Sequence, residues 1–534
     1  MRLVVIGGVA GGMSAAARGR RLDEDAEIVV LEQGPYVSYA NCGLPYYVGG
    51  EITDEAALLV QTPDSLRESL NLDVRVNSQV TAIEDEHVTV VGPEGEYQLA
   101  YDAIVLSPGA VAAKPPLPGL DLPHVTTLRT VDDALALRRR VETPGRAVVL
   151  GAGFIGVETA EALAAQDWDV QLVELAPHVL PPLETEIAVP VQRELRHLGI
   201  GVHVGVAAEA ITPEHVRLSD GTELPADLVV LSIGVRADTS LTGNIRTENG
   251  AIVVDEHGQT SNPKVWAVGD ATLSVDAVTG ALRPVALAGP ANRAGRLVAD
   301  HIFNPETARP IPAALGTAIV RVGDLTAALT GANRRALEGI NYRTIHLHPN
   351  QHAGYFPGAT SLSLLVHFAE EDGRILGAQA VGKEGVDKRI DVIATAMRAG
   401  LTIEDLIDLD LAYSPPYGMA KDPVNLAGMI GSNVRSGELQ LWYVDDIPWA
   451  QENATIVDVR SAAEFATGHI PGAINIPHTE IREHLDELRG RPVRLICKSG
   501  MRSYLAYRVL VQEGFEDVAS FSGGSLTWKD SADA

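Results

Sequence analysis

Short apolar runs, glycine turns and alanine-rich stretches follow one another along this chain, the pattern of parallel strands joined by helices. Leu3-Val4-Val5-Ile6 is an apolar run bounded by glycine, Gly7-Gly8-Val9-Ala10-Gly11-Gly12 is a turn, and Ser14 to Leu22 continues as an Ala/Arg helix. Ile28-Val29-Val30-Leu31-Glu32 is a second strand that ends on an acid. The same order returns 144 positions later. Ala147–Leu150 predicts a strand, Gly151-Ala152-Gly153-Phe154-Ile155-Gly156 a turn, Val157–Ala165 a helix, and Val170–Glu174 a strand ending on an acid. Residues 317–437 mix strand and helix patterns and carry no Gly-rich fingerprint. The stretch from Gly437 to Asn453, with Trp442, Pro448 and Trp449, reads as a connector whose tryptophans are docking contacts. It leads into a last module of about 85 residues, enough for one compact domain.

Gly151-x-Gly153-x-x-Gly156 between strand and helix is a full dinucleotide fingerprint. The first glycine permits the tight turn and the second lets backbone approach a pyrophosphate. The third lets helix and strand pack closely, with the phosphates at the helix N-terminus. Glu174, 23 residues after Gly151, is placed to accept hydrogen bonds from an adenosine ribose. Its charge repels a 2′-phosphate, so NADH is favoured over NADPH. The first unit reads Gly7-Gly8-Val9-Ala10-x-Gly12, with Val9 in place of the middle glycine and Glu32 25 residues after Gly7. Two such units imply two dinucleotide sites.

The 534 residues suggest three or four domains at about 150 residues each. Asp and Glu number 70 against 42 Lys and Arg, a net charge of −28, which argues against a nucleic-acid-binding surface. With 46 % hydrophobic residues the chain is globular rather than disordered. Cys42 and Cys497 are its two cysteines, far apart in sequence, which excludes a disulfide scaffold or a zinc ribbon. A reducing cytoplasm with both thiols free is the expectation. No run of about 18 apolar residues predicts a membrane span, and Met1-Arg2 leads into a strand without a signal-peptide layout. His346, His348 and His352 alternate on a strand and reach into a loop, so they read as structural, and no metal site is expected.

Ile104-Val105-Leu106-Ser107-Pro108-Gly109-Ala110 closes the region before the second fingerprint. Val265-Trp266-Ala267-Val268-Gly269-Asp270 ends a strand on an acid that could take a ribityl hydroxyl. The order of these four segments resembles the FAD-dependent pyridine nucleotide-disulfide oxidoreductases over roughly residues 1–437. The resemblance implies FAD on the first unit and NAD(P)H on the second. Cys42 lies in Ser38-Tyr39-Ala40-Asn41-Cys42-Gly43-Leu44-Pro45-Tyr46-Tyr47. Two-cysteine members carry Cys-x4-Cys, and position 47 here is Tyr, so oxidised Cys42 must be a mixed disulfide, a persulfide or a sulfenic acid. The segment is similar to the coenzyme A-disulfide reductases, in which a single Cys alternates between thiolate and Cys–S–S–CoA. His352-Ala353-Gly354-Tyr355-Phe356-Pro357-Gly358 and Asp410-Leu411-Ala412-Tyr413-Ser414-Pro415-Pro416-Tyr417 look like that family's two tyrosine motifs. The resemblance implies that Tyr355 and Tyr413 reach the Cys42 pocket from the other subunit of a homodimer. It also implies a CoA site built from Ser14, Arg18, Arg21, Ser38, Asn41, Asn292 and Lys421. Arg18 and Arg21 share a helix face, and Lys421 is one of seven lysines in the chain. Leu70 departs from this pattern, standing where some relatives have a basic residue. A related family reduces oxygen or peroxide at the same Cys, and its peroxidase branch carries a His where this chain has Ala10.

Thr455–Arg460 reads as a strand ending in Asp-x-Arg, followed by Glu464-Phe465-Ala466-Thr467-Gly468-His469-Ile470-Pro471-Gly472-Ala473. Leu495-Ile496-Cys497-Lys498-Ser499-Gly500-Met501-Arg502-Ser503 then runs strand, loop, helix. A thiol at a loop of N–H groups opening onto a helix is suited to an anionic persulfide. The block resembles a single rhodanese domain over 446–529. Its Cys-x4-Arg loop is one residue shorter than the Cys-x5-Arg cradle of related phosphatases, which suits sulfur. Cys497 is expected to hold sulfane sulfur, with Arg502 and the loop amides stabilising charge.

The expected fold class is α/β: two Rossmann-like domains, an α+β dimerisation domain and a C-terminal α/β rhodanese domain. Residues 1–112 and 236–316 form the FAD domain, 113–235 the NAD domain and 317–437 the dimerisation domain. Residues 438–453 are a linker and 454–534 the rhodanese domain. The expected function is electron transfer from NADH through FAD and Cys42 to CoA persulfide or polysulfide, releasing H₂S and CoA. Alternatives are CoA-disulfide reduction as the main task, and an NADH oxidase.

Overall fold

A computed structural model describes residues 1–532. Two compact units divide the chain. One comprises Met1–Leu175 and Leu198–Gly316; the other comprises Ala176–His197 and the chain from Thr317 onward.

The first unit holds two five-stranded parallel sheets. One runs Val265–Ala267, Ala103–Leu106, Arg2–Ile6, Glu27–Leu31, Asp73–Arg75 across its width. The other runs Gly201–Val204, Asp169–Glu174, Arg146–Leu150, Leu228–Leu231, Val125–Thr127. Their central strands are apolar at nearly every position because both faces are covered: Leu3, Val4, Val5, Val148 and Val149 are wholly buried. Each such side chain contributes about 1.5–3 kcal/mol by leaving water. The fold class expected from the pattern is present in both units.

The first helix starts earlier than the Ala/Arg pattern indicates. It spans Ala10–Leu22, and the second fingerprint helix spans Phe154–Ala164, so both helices begin inside their glycine turns. The close packing needs those glycines. A Cβ on Gly12 would lie 2.0 Å from the Gly7 carbonyl oxygen, and one on Gly156 1.9 Å from that of Gly151. The Ala10–Leu22 helix also presses on the Ala288–Phe303 helix, where a Cβ on Gly295 would lie 2.1 Å from the Gly11 oxygen. That seam of small residues brings the polar groups of the two helices within reach of one another.

In the second unit an antiparallel sheet is ordered Ala318–Val322, Leu325–Gly331, Ile375–Gly382, Leu362–Ala369, Tyr342–Leu347. Its core strand Ile375–Gly382 is buried at every residue. A parallel sheet follows, ordered Leu441–Trp442, Val518–Phe521, Val493–Ile496, Thr455–Asp458, Ile474–Asn475. The stretch read as a connector is therefore part of this last sheet. Trp442 is 2 % exposed, stacks edge-on against Phe521, and donates its indole N–H to the Leu495 carbonyl. Trp449 stays half-exposed with the Arg494 guanidinium over its ring. The helix Thr185–His197, which follows the second fingerprint strand in sequence, packs with this second unit.

Candidate functional site

The two Gly-rich turns are organised alike. The Gly8 N–H donates to Glu32 Oε2 at 2.8 Å, and the Ala152 N–H donates to Glu174 Oε2 at 2.7 Å. Each acid at the end of the second strand thus orients its turn. Glu32 also accepts the Gly34 N–H, and burial pushes its carboxyl up despite these bonds. Val9 caps the first helix and Ala10 opens it. Gly7 and Gly151 take φ +99° and +97°, and a Cβ on either would strike a backbone carbonyl. Gly153 differs, because a Cβ there meets nothing within 4 Å, leaving open space where a pyrophosphate would pack.

Gly109 takes φ +74°, and Asp270 lies in the short 3₁₀ turn Gly269–Ala271. Arg129 joins their segments, donating through Nε to the Ala110 carbonyl and through Nη2 to Asp270 Oδ2 at 3.3 Å. No motif surrounds Arg129 in sequence, and the pattern gave no sign of it.

Cys42 lies in the short 3₁₀ turn Asn41–Gly43, ahead of the helix Leu44–Val48. Its residue is exposed. Partial loss of water, then the Glu158 and Asp270 carboxylates, push the thiol above its ordinary value. Glu158 accepts the Tyr46 hydroxyl at 2.9 Å. Ser38 is held at φ +47° by bonds to Gly8 and Val60, and Asn41 is exposed beside the cysteine.

Of the residues expected to meet CoA, Ser14 and Asn292 are brought together across the helix seam, Oγ to Oδ1 at 2.8 Å. Arg18 is committed to Asp300 at 2.6 Å, whereas Arg21 is exposed one turn on. Lys421 lies exposed in the second unit, before the buried Asp422 that pairs with Arg389 at 2.9 Å.

The tyrosine loops of the second unit meet. The Ala353 N–H donates to the Gly418 carbonyl, and the Tyr355 and Tyr413 hydroxyls lie 3.4 Å apart. Tyr355 is 77 % exposed, Tyr413 50 % and Tyr417 73 %, so the hydroxyls are free to meet another surface.

Cys497 is 1 % exposed at the end of strand Val493–Ile496. Its Sγ accepts the Gly500 N–H at 3.2 Å, and the Ser503 Oγ lies 3.4 Å from it and 2.9 Å from the Gly500 carbonyl. Ser520 in turn donates to Ser503 Oγ at 2.8 Å. Arg502 turns to Glu464 instead, in a two-pronged pair with both bonds at 2.7 Å. That pairing, with the Ser461 amide and hydroxyl, holds the Glu464 carboxyl down at about 2. Ser503 was not singled out from the sequence; its place one residue after the loop arginine is the signal that could have found it. A cavity of about 360 Å³ beside the loop is lined by Arg460, Lys498, Lys529, Glu464, Ser525 and neighbours.

The three histidines make hydrogen bonds to side chains and backbone: His346 to Glu186 and Ser522, His348 to Ser363 and Thr527, His352 to the Ala353 carbonyl. Among the described residues no group of three or more His, Cys, Asp or Glu is arranged to hold a metal ion, and no helix is long and apolar enough to cross a membrane.

The chain matches the Pyridine nucleotide-disulphide oxidoreductase family over residues 1–288, the dimerisation domain of that family over 317–422, and the Rhodanese-like domain over 444–531. It is 32 % identical over 436 residues to a coenzyme A disulfide reductase of Staphylococcus haemolyticus, covering 80 % of this chain and 98 % of the relative. Along its whole length it is similar to the reduced CoADR-RHD of Bacillus anthracis, with TM-score 0.98 and 40 % identity over 100 % of this chain and 98 % of that one. It is also similar to a NAD-dependent persulfide reductase from A. fulgidus, with TM-score 0.92 and 37 % identity over 99 % and 100 %.

Proposed function

The chain belongs to the pyridine nucleotide-disulphide oxidoreductase family and carries a rhodanese-like domain after its dimerisation domain, and from that premise we propose that it reduces CoA persulfide or polysulfide with NADH. The observation that carries this reading is the presence in one chain of two different thiols, an exposed Cys42 in the first unit and a buried Cys497 that accepts the Gly500 amide in the second. A sulfane-sulfur loop gives plain CoA disulfide nothing, whereas it matches a substrate that itself carries sulfane sulfur.

FAD, when bound, supplies two-electron transfer between NADH and sulfur. The first site suits it: Glu32, at the end of the second strand, orients the Gly8 amide, and the Gly-rich turn runs directly into the Ala10–Leu22 helix. Gly151, Gly153, Gly156 and Glu174 would hold NADH, with Glu174 selecting against a 2′-phosphate. Ser14, Asn292, Ser38, Asn41, Arg21 and Lys421 would receive CoA, with Arg18 shared between substrate and Asp300.

The Cys42 thiolate attacks the inner sulfur of CoA–S–SH, forming Cys42–S–S–CoA and releasing HS⁻. Two electrons and a proton then split that disulfide into the Cys42 thiolate and CoA thiol. The sum is CoA–S–SH + NADH + H⁺ → CoA–SH + H₂S + NAD⁺. Burial, then the Glu158 and Asp270 carboxylates, push the Cys42 thiol up, so added hydroxyl donors would favour its thiolate. In a homodimer the Tyr355 and Tyr413 hydroxyls of the other subunit would supply them. In the last domain Cys497 would carry sulfane sulfur, its charge taken by the Gly500 amide and Ser503.

The deciding experiment follows NADH oxidation without oxygen, with CoA persulfide and CoA disulfide at matched concentrations. A higher kcat/KM for the persulfide is expected. A higher value for the disulfide would make thiol maintenance the main task and separate the last domain from it.

A further inference from the structure

The last helix of the chain, Gly524–Ala532, lies against the back of the Cys497 loop. The Ser525 N–H donates to the Cys497 carbonyl at 2.7 Å, and the Leu526 N–H donates to the Lys498 carbonyl at 3.1 Å. These bonds fix the backbone from which the cysteine side chain projects. The same few residues are gripped on their other side by the antiparallel sheet. Ser522 Oγ accepts the His346 backbone N–H at 3.1 Å and lies 2.7 Å from His346 Nδ1. Thr527 Oγ1 lies 2.8 Å from His348 Nε2, whose Nδ1 faces Ser363 Oγ at 3.0 Å.

The two glycines between these anchors show how tightly the segment is held. A Cβ on Gly523 would lie 2.8 Å from the His346 Cβ, and one on Gly524 would lie 2.5 Å from the Cys497 carbonyl oxygen. Neither histidine is idle elsewhere. His346 Nε2 faces Glu186 at 2.7 Å, and Glu186 also pairs with Arg334. Because the carboxylate only accepts, Nε2 carries the proton; in the neutral ring Nδ1 then accepts, and Ser522 can donate to it while accepting from the backbone. Burial drives His348 down to about 3, so it acts as a neutral imidazole. Arg193 adds an anchor further along the helix, pairing with Asp530 at 2.5 Å.

We infer that His346 and His348, with Ser522 and Thr527, are positioning residues for the Cys497 loop: the antiparallel sheet sets the geometry of the sulfur-carrying thiol through the Ser522–Thr527 segment. The inference rests on the sulfurtransferase reading of Cys497 for its consequence in turnover, and on geometry alone for its effect on the thiol.

The test uses the full-length, FAD-loaded enzyme. In a Cys42→Ser background, where Cys497 is the remaining cysteine, the rate of iodoacetamide alkylation is measured against pH. With Cys42 intact, thiosulfate-to-cyanide sulfur transfer and NADH-driven CoA-disulfide reduction are measured in parallel. Thr527→Val and Ser522→Ala should each lower sulfur-transfer kcat about five-fold, the scale of one lost neutral hydrogen bond. They should also move the midpoint of the alkylation profile, with little change in KM and none in CoA-disulfide reduction. Thr527→Ser, which keeps the hydroxyl, should behave as wild type. Should a variant fail to accumulate folded, His348→Gln carries the same measurements. An unmoved alkylation profile with unchanged kcat overturns the inference. So does a parallel loss of CoA-disulfide reduction, or a Thr527→Ser enzyme as impaired as Thr527→Val. If wild type transfers no sulfur from thiosulfate or polysulfide, the sulfurtransferase reading falls, and the alkylation profile still decides the positioning role.

Discussion

Cys42 is an exposed residue whose thiol is pushed up by partial burial and then by the Glu158 and Asp270 carboxylates, whereas Cys497 is buried with an amide N–H and a serine hydroxyl facing its sulfur. In the reading proposed above, the first site is completed by the exposed Tyr355 and Tyr413 of another subunit and by the cofactor of the first Gly-rich turn. The second site has its sulfur contacts close in sequence, Gly500 and Ser503 lying within seven positions of Cys497, and the Ser522–Thr527 segment backs the loop. A thiol that must admit a bulky substrate and electrons has to remain open and be completed by what binds. A thiol that only parks a sulfur atom can be built closed.

The sharpest break of this comparison is a pair of single substitutions. Cys42→Ser should lower NADH-driven turnover of CoA persulfide by about 10³-fold or more, while the flavin absorbance of the purified protein stays. Cys497→Ser should leave CoA-disulfide reduction within about two-fold and abolish thiosulfate sulfur transfer. Persulfide turnover that survives Cys42→Ser, measured by NADH oxidation, would end the mechanism proposed above.

A smaller effect is expected from the tyrosines. Tyr355→Phe with Tyr413→Phe should cost the reductase about 10²-fold in kcat, the scale of lost acid assistance to a leaving thiolate. The same double variant should leave thiosulfate sulfur transfer untouched, since nothing at Cys497 depends on those loops. Steady-state kinetics of both reactions on one preparation reads both outcomes. Equal losses in the two activities would mean that the loops maintain the fold and do not complete the Cys42 site.

Local patterns carried most of this into view. The two fingerprints are legible because each glycine answers a backbone contact made within a dozen residues: Gly12 against Gly7, Gly156 against Gly151. The cysteine loop is legible for the same reason. What was not legible depends on distant partners. Trp442 looked like a docking residue because a two-residue strand has no periodicity; its burial comes from Phe521 and Leu495, far along the chain. Arg502 was expected to stabilise charge at the loop, and its side chain pairs with Glu464, 38 positions earlier. His346 and His348 read as structural from their alternation, but their partners Ser522 and Thr527 stand 176 and 179 positions away. Arg129 reaches Asp270 across 141 positions. Spacing rules see neighbours on one helix or one turn, not side chains that meet because two sheets pack.

The smallest expected effect concerns pH. The Arg502 hydrogen bonds, then the Ser461 amide and hydroxyl, hold Glu464 down at about 2 in the folded protein. A carboxyl whose folded value lies below its unfolded one, about 4.3, contributes stability that is fully present above the unfolded value. That contribution is lost as pH falls through about 2. The Arg502–Glu464 pair therefore stays charged throughout pH 5–9 and cannot shape the sulfur-transfer profile there, whereas the raised Cys42 thiol titrates on the alkaline side. Glu464→Gln should leave the form of the sulfur-transfer profile over pH 5–9 unchanged. Because the pair is partly exposed, the loss of melting temperature should match an ion pair worth about 0–1 kcal/mol. Freed from its carboxylate, Arg502 should lower the KM for anionic thiosulfate by about two- to three-fold. An acid limb near pH 5 that disappears in Glu464→Gln would show instead that this carboxyl titrates during turnover, and the closed site would then share the dependence on outside groups that marks Cys42.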